Sequence, residues 1–225
     1  MDDTSRKVCD QAYANIKKKI LDFEYKPGES IAETTLSASL GISRTPIREA
    51  LRRLEQDGLL ENKNGRKKVT IITVDDLQQI FELKIAIEGM VMRNCAETRT
   101  EKDISKLRKA IKQMTDLEDK ARNGFTKNLF NEWGEVNAAF HSLTYKIANN
   151  SRAEAIINNL NMQWHRWRVG ITAMEWRLER NISEHIQFCE AIIEGDGGKA
   201  FQLMEKHTKD LFNTVVNIIK TFSLD

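Results

Sequence analysis

Gly41 to Leu60 reads GISRTPIREALRRLEQDGLL, and this stretch decides the fold of the first third of the chain. Ser43 and Thr45 are candidate helix N-caps, Pro46 falls in a first turn where its missing N–H leaves no bond unmade, and Gly58 closes the helix. Ile47, Ala50, Leu51 and Leu54 recur at helical spacing and form an inward stripe, so Arg44, Thr45, Arg48 and Arg52 face outward. The N-terminal end of such a helix adds the positive pole of its dipole and free backbone N–H groups to that cationic face. Phosphates and guanine edges fit such a surface. On an isolated amphipathic helix the same arginines would simply be solvated.

The flanks choose between these readings. A short helical segment, Glu33 to Leu40, precedes the stretch across a Gly41-Ile42-Ser43 turn, the spacing of a helix-turn-helix. After it, Leu59 to Asn62 and Val69 to Ile72 read as two short strands around Lys63-Asn64-Gly65-Arg66-Lys67-Lys68. Asn64-Gly65 is a strong hairpin signal, so the loop reads as a basic wing. Upstream, Val8, Ala12, Ile16, Ile20 and Phe23 mark a helix over residues 5–23, and Lys17 to Lys19 read as its solvated face. Lys26-Pro27-Gly28 is a turn, and Ser30-Ile31-Ala32 is a short strand suited to pair with the wing.

KPGESI at Lys26 to Ile31, Glu33, Leu36, LGISRTPIREAL at Leu40 to Leu51, LEQDGLL at Leu54 to Leu60 and the wing together resemble the GntR transcription regulators, in their FadR-like branch with an all-helical ligand-binding domain. The resemblance implies that Arg44, Thr45 and Arg48 contact the bases and phosphates of double-stranded operator DNA, and that Gly65, Arg66 and Lys67 approach the minor groove. Two departures stand out. Ser37 replaces the family's usual alanine, and Gly65 lies one residue further from Val69 than the usual wing glycine.

Composition bounds the rest. The chain has 225 residues, 40% of them hydrophobic, enough for one large or two modest domains with real cores. No run approaches a membrane span and the N-terminus lacks an apolar signal core, so a cytoplasmic protein without membrane partners is expected. Cys9, Cys95 and Cys189 lack metal spacing and read as reduced, buried thiols. Net charge is only +2, but Arg44 to Lys68 holds eight basic residues against four acidic ones, while residues 76–225 balance. Only one part of the molecule is built to meet phosphate.

Thr73 followed by Asp76 has a capping-box pattern and marks the boundary between a domain over residues 1–72 and another over 73–225. Beyond it no period-two pattern survives, and the expected fold is mainly α: an N-terminal winged helix-turn-helix followed by an all-α bundle. Leu77, Ile80, Phe81, Lys84, Ile87, Val91 and Cys95 mark the bundle's first helix, and Ile104 to Ala121 the second. The others run from about Lys127 to Ala148, Arg152 to Met174, Leu178 to Glu194 and Gly197 to Phe222. His141 lies on an inward stripe with Asn137, Phe140 and Thr144, His185 on one with Ile182 and Cys189, and His207 on one with Met204 and Leu211. His165 falls beside its stripe and reads as a rim residue. Three inward imidazoles need partners, and either ordinary core hydrogen bonds or a divalent metal would supply them.

Metal-binding members of the FadR-like branch carry an aspartate four residues before the histidine of a Phe-His pair, then histidines on the last two helices. Phe140-His141, His185 and His207 match this pattern, and Asn137 stands where the aspartate would be. The resemblance therefore implies a site for zinc, nickel or manganese formed by Asn137, His141, His185 and His207, gripping a small organic acid effector. Lys84, where the family usually has arginine, is the expected second contact to that acid, with Trp164, Trp167 and Trp176 as candidate walls. The expected protein is no enzyme but an effector-controlled, homodimeric DNA-binding regulator. A metal-dependent hydrolase joined to a DNA reader and a purely structural dimerisation domain are the alternatives.

Overall fold

The computed structural model describes residues 3–164 and 177–222. His165, Trp167 and Trp176, and the end of the helix expected to reach Met174, lie outside the described residues. The chain divides into two compact units, with the break in the chain's course falling between Thr73 and Val74.

The first unit contains α1 (Asp3–Leu21), β1 (Ser30–Ile31), α2 (Glu33–Leu40), α3 (Arg44–Gln56), β2 (Leu60–Lys63) and β3 (Arg66–Val69). Its sheet has the order β1-β3-β2 with both pairings antiparallel. Ile16 and Ile20 of α1, Leu36 of α2, Ile47, Leu51 and Leu54 of α3, and Val69 of β3 bury against one another in a single core. That shared burial fixes α3 in place. Its C-terminus closes in a Schellman motif, in which Leu59 N–H bonds to Leu54 C=O and Gly58 N–H to Glu55 C=O, with both leucines buried.

Three local expectations differ from the structure. α1 stops at Leu21, and Phe23 lies beyond it in a left-handed turn. Ser43 occupies the N-cap position of α3, yet no side-chain cap bond forms there. The wing is also tighter than expected. Asn64 and Gly65 both adopt positive φ (54° and 75°), the conformation of a two-residue hairpin turn, so pairing resumes at once with Lys63 opposite Arg66. β3 therefore begins at Arg66 and ends at Val69, and the segment through Ile72 expected as strand lies outside it.

The second unit is all helical in its described residues: α4 (Val74–Thr98), α5 (Glu101–Arg122), α6 (Lys127–Ile147), α7 (Ser151–Trp164, of which residues 151–161 belong to this unit), α8 (Leu178–Glu194) and α9 (Gly197–Phe222). α4 runs along α9, α5 packs on α8 and α6, and α8 also touches α4 and α9. Gly89 of α4 lets the Phe201 ring of α9 lie against the helix backbone, at 2.7 Å from where a Cβ would stand. Met92, Leu107, Met114, Trp133, Phe140, Phe188, Ile192 and Met204 fill the core. A capping box starts α5: Thr100 accepts from the Asp103 N–H and Asp103 accepts from the Thr100 N–H. Hydrogen bonds from Thr100 and Lys106 hold the Asp103 carboxyl down to about 2. All three cysteines are buried and free, and burial pushes the Cys95 and Cys189 thiols up to about 12.

Candidate DNA interface and helical ligand site

The helix-turn-helix is built by its turn. Gly41 ends α2 in the left-handed conformation (φ 65°), and the Ser37 hydroxyl donates to the Ile42 carbonyl at 2.6 Å, tying the end of α2 to the link before α3. Ser37, the departure from the family's alanine, thus has a structural task. The inward stripe of α3 leaves Arg44, Thr45 and Arg48 exposed along one edge. Among the described residues Arg44 has no ion-pair partner, whereas Arg48 is gripped by Glu33, whose carboxylate accepts from Nε (3.1 and 3.2 Å) and Nη2 (3.0 Å). Gly65 and Arg66 are exposed at the wing tip, but Lys67 folds back to Glu55 at 2.5 Å. The hairpin therefore presents its tip, not its whole basic run. Tyr13 completes the support behind α3: its hydroxyl donates to Asp57 at 2.5 Å, the Arg53 guanidinium lies 4.3 Å from its ring centre, and burial followed by the Asp57 bond lifts the phenol to about 12.

In the helical unit the histidines expected to point inward do so. His185 and His207 are 1% and 8% exposed, and His141 is partly buried. His141 Nε2 and His185 Nε2 lie 3.4 Å apart. His185 donates from Nδ1 to the Asn181 carbonyl at 2.7 Å, which assigns its proton and leaves Nε2 as the nitrogen bearing a lone pair. His207 lies edge-on to His185 with ring centres 5.1 Å apart, and its Nδ1 meets Glu184 at 2.6 Å. Trp133, Phe140 and Phe188 close around His185 with ring centres 5.0–5.3 Å away. Among the described residues these are rings packed on His185; Trp167 and Trp176 lie outside them. Burial keeps both rings of the facing pair neutral: it depresses His141 to about 4, and His185 well below its usual range, where His207 and His141 add to the effect. The Asn137 side-chain oxygen is buried with no hydrogen-bond partner among the described residues. Among the described residues no three His, Cys, Asp or Glu side chains converge on one point: His141 and His185 meet, while His207 is turned to Glu184.

Lys84 lies buried on the inward face of α4, where its stripe places it. It is 4% exposed, and its ammonium donates to Glu88 at 3.0 Å and to the Asn161 side-chain oxygen at 2.5 Å. Its head does not reach water. Glu88, 5% exposed, and not Ile87 takes the fully buried place on the inward face, one turn from Lys84. Burial pushes the Glu88 carboxyl up, but Lys84, His141 and His207 outweigh it and the net displacement is downward. Thr208 also approaches Glu88, at 3.5 Å. Glu184 is the other missed acid. It collects His207, Arg177 and Arg180, and lines a solvent-open cleft of about 720 Å³ that exposes the edge of His207 beside Arg122 and Lys206. No local sequence signal joins Glu184 to His207, because the pairing is between helices.

Fold and sites together define a class: a winged helix-turn-helix DNA reader joined to an all-helical ligand-binding unit. Known proteins supply the family. Residues 9–67 match the profile of the bacterial regulatory proteins of the gntR family, and residues 79–210 match the FCD domain. The HTH-type transcriptional regulator YdhC of Bacillus subtilis (strain 168) is 32% identical over 184 residues, covering 81% of this chain and 79% of that protein. The HTH-type transcriptional repressor RspR of Escherichia coli (strain K12) is 24% identical over 212 residues, covering 94% and 90%. Among solved structures, E. coli McbR/YncC matches with TM-score 0.64 at 19% identity, covering 96% of this chain and 98% of that one. A GntR regulator from Rhodococcus sp. RHA1 matches with TM-score 0.67 at 18% identity, covering 93% and 97%. Both likenesses show the fold. The chain belongs to the GntR family of transcription regulators, with an FCD-type helical ligand-binding domain as in the FadR-like branch. These proteins are DNA-binding regulators and not enzymes, which removes the hydrolase reading. Among the described residues, no helix is long and apolar enough to cross a membrane.

Proposed function

We propose that this regulator works as a homodimer whose two winged units read the halves of a near-palindromic operator, and that a small organic acid held in the helical unit sets how tightly they bind. The observation that carries the sensor half is the pair of facing imidazoles. Their Nε2 atoms, 3.4 Å apart, have nearly the separation of two nitrogens that each lie about 2.0–2.1 Å from one divalent ion. The buried, unpartnered oxygen of Asn137 adds a neutral donor in the same helix, one turn before His141. His185 and His207 each have Nδ1 engaged, by the Asn181 carbonyl and by Glu184, which leaves Nε2 as the nitrogen for a ligand. These donor types suit zinc, nickel or manganese, which would be held by Asn137, His141, His185 and His207, with His141 and His185 already facing. Such an ion, when bound, supplies the positive charge that attracts a carboxylate.

Lys84 is the second contact for the acid. Glu88 neutralises its ammonium, so an incoming carboxylate binds there only as Glu88 gives way, and that exchange is the source of selectivity. Both residues lie on α4, the helix that follows the winged unit in sequence, so their rearrangement shifts α4 and with it the spacing of the two reading heads. The switch requires the acid to favour one arrangement over the other. Leu83 and Met90, two turns apart on α4 and 53% and 38% exposed, are the apolar surface assigned to the second copy. The test is operator affinity by fluorescence anisotropy, on a duplex selected by the protein itself, with a panel of small carboxylic acids in the presence and absence of each ion. The expected result is an acid that changes affinity roughly tenfold and raises the melting temperature only when an ion is present. Acids that alter neither, with every ion, would contradict the sensor.

A further inference from the structure

A carboxylate held against the outward edge of α3 needs a reason, because phosphates would repel it there and surface ion pairs contribute little to stability, roughly 0–1 kcal/mol. Glu33 is the first residue of α2, and it meets Arg48 of α3 through both of its oxygens. The Arg48 side chain is 67% exposed and that of Glu33 32% exposed, so the pair is open to a ligand on one side. The contact uses the Nε and Nη2 edge of the guanidinium. It leaves the other edge, with Nη1 and the outer hydrogen of Nη2, as a free two-pronged donor. That edge matches the O6 and N7 acceptors of guanine in the major groove. A long side chain already held in one geometry loses less freedom when it docks.

We propose that Glu33 is a positioning residue for base reading: it fixes Arg48 so that its free edge addresses one guanine in each half-site. Arg44, without an ion pair among the described residues, keeps the adaptable role of a phosphate contact. Glu33 also acts against wrong sequences. Where no guanine meets Arg48, its carboxylate remains close to the duplex with nothing gained in exchange. The inference rests on α3 being the reading helix.

The test is selection of binding sites from a randomised duplex pool by the full-length wild type and by Arg48→Ala, Glu33→Ala and Glu33→Gln. Arg48 is exposed and Glu33 partly so, and melting temperatures confirm folding of each variant. The wild type is expected to fix one guanine symmetrically in each half-site, with a preference of roughly 5- to 150-fold over other bases. Arg48→Ala loses it. Glu33→Ala loses most of the same preference, keeps the remaining positions, and binds random duplex more tightly because a negative charge has gone. Glu33→Gln keeps one acceptor and recovers part of the preference. A Glu33→Ala protein that selects guanine as sharply as the wild type overturns this proposal alone. An Arg48→Ala protein that still selects the wild-type site overturns the reading helix, and the role of Glu33 with it.

Discussion

Glu88→Ala removes one half of an ion pair whose members are 4% and 5% exposed. The Lys84 ammonium would then be left with the Asn161 side-chain oxygen, a neutral acceptor, and no counter-charge. Breaking a buried pair in this way costs about 3–5 kcal/mol. For a chain of this size each kcal/mol lowers the melting temperature by roughly 2–4 °C, so a fall of about 6–20 °C is expected. Removing both charges together is different. Lys84→Met with Glu88→Leu exchanges the desolvated pair for apolar volume, and its stability is expected within about 1 kcal/mol of wild type or above it. Thermal and urea unfolding followed by helical circular dichroism, on both singles and the double, supplies the measurement. Acid gives a second arm. The Glu88 carboxyl is displaced below its ordinary 4.5 in the folded state, so the pair's contribution is complete above that pH and fades as pH falls through the folded value. A Glu88→Ala protein within about 1 kcal/mol of wild type, or a double as unstable as the two singles summed, would refute this account of the site. A stable double that no longer responds to acids would show that the pair is kept for selection and not for stability.

Arg48→Ala should weaken binding to the selected operator by roughly 5- to 150-fold per half-site, while acid-induced thermal stabilisation of the helical unit stays unchanged; anisotropy and melting curves read the two arms. Thr100→Ala deletes the capping box of α5 and should lower stability by about 1 kcal/mol, seen in urea unfolding, with DNA affinity unaltered. Charging the exposed stripe of α4 through Leu83→Glu and Met90→Glu should shift the protein to monomer in sedimentation velocity and weaken operator binding; a dimer that survives both changes would move the interface elsewhere.

The first unit was largely legible because its signals are local. Gly41, Asn64-Gly65 and the three- and four-residue steps from Ile47 to Leu54 each dictate backbone form within a few residues. The misplaced strand there follows from one turn: its two positive φ angles let the strands pair at once, so β3 starts at Arg66. In the helical unit the stripes found His141, His185 and His207 but not what faces them. Lys84 was visible as an inward lysine, and Glu88, four residues on, follows from the same periodicity once a buried lysine is recognised as needing a counter-charge. Asn161 at Lys84, Glu184 at His207 and Glu33 at Arg48 join separate helices. Those pairings are products of packing, and no spacing in the sequence encodes them.

The most direct test of the central claim, a DNA reader governed by a metal-centred helical pocket, is the metal content of protein purified without an affinity tag, repeated for His141→Ala, His185→Ala and His207→Ala. The account predicts close to one ion per chain in the wild type and its loss in each folded variant. A folded, DNA-binding wild type that holds no ion and takes up none from zinc, nickel or manganese solutions would contradict it.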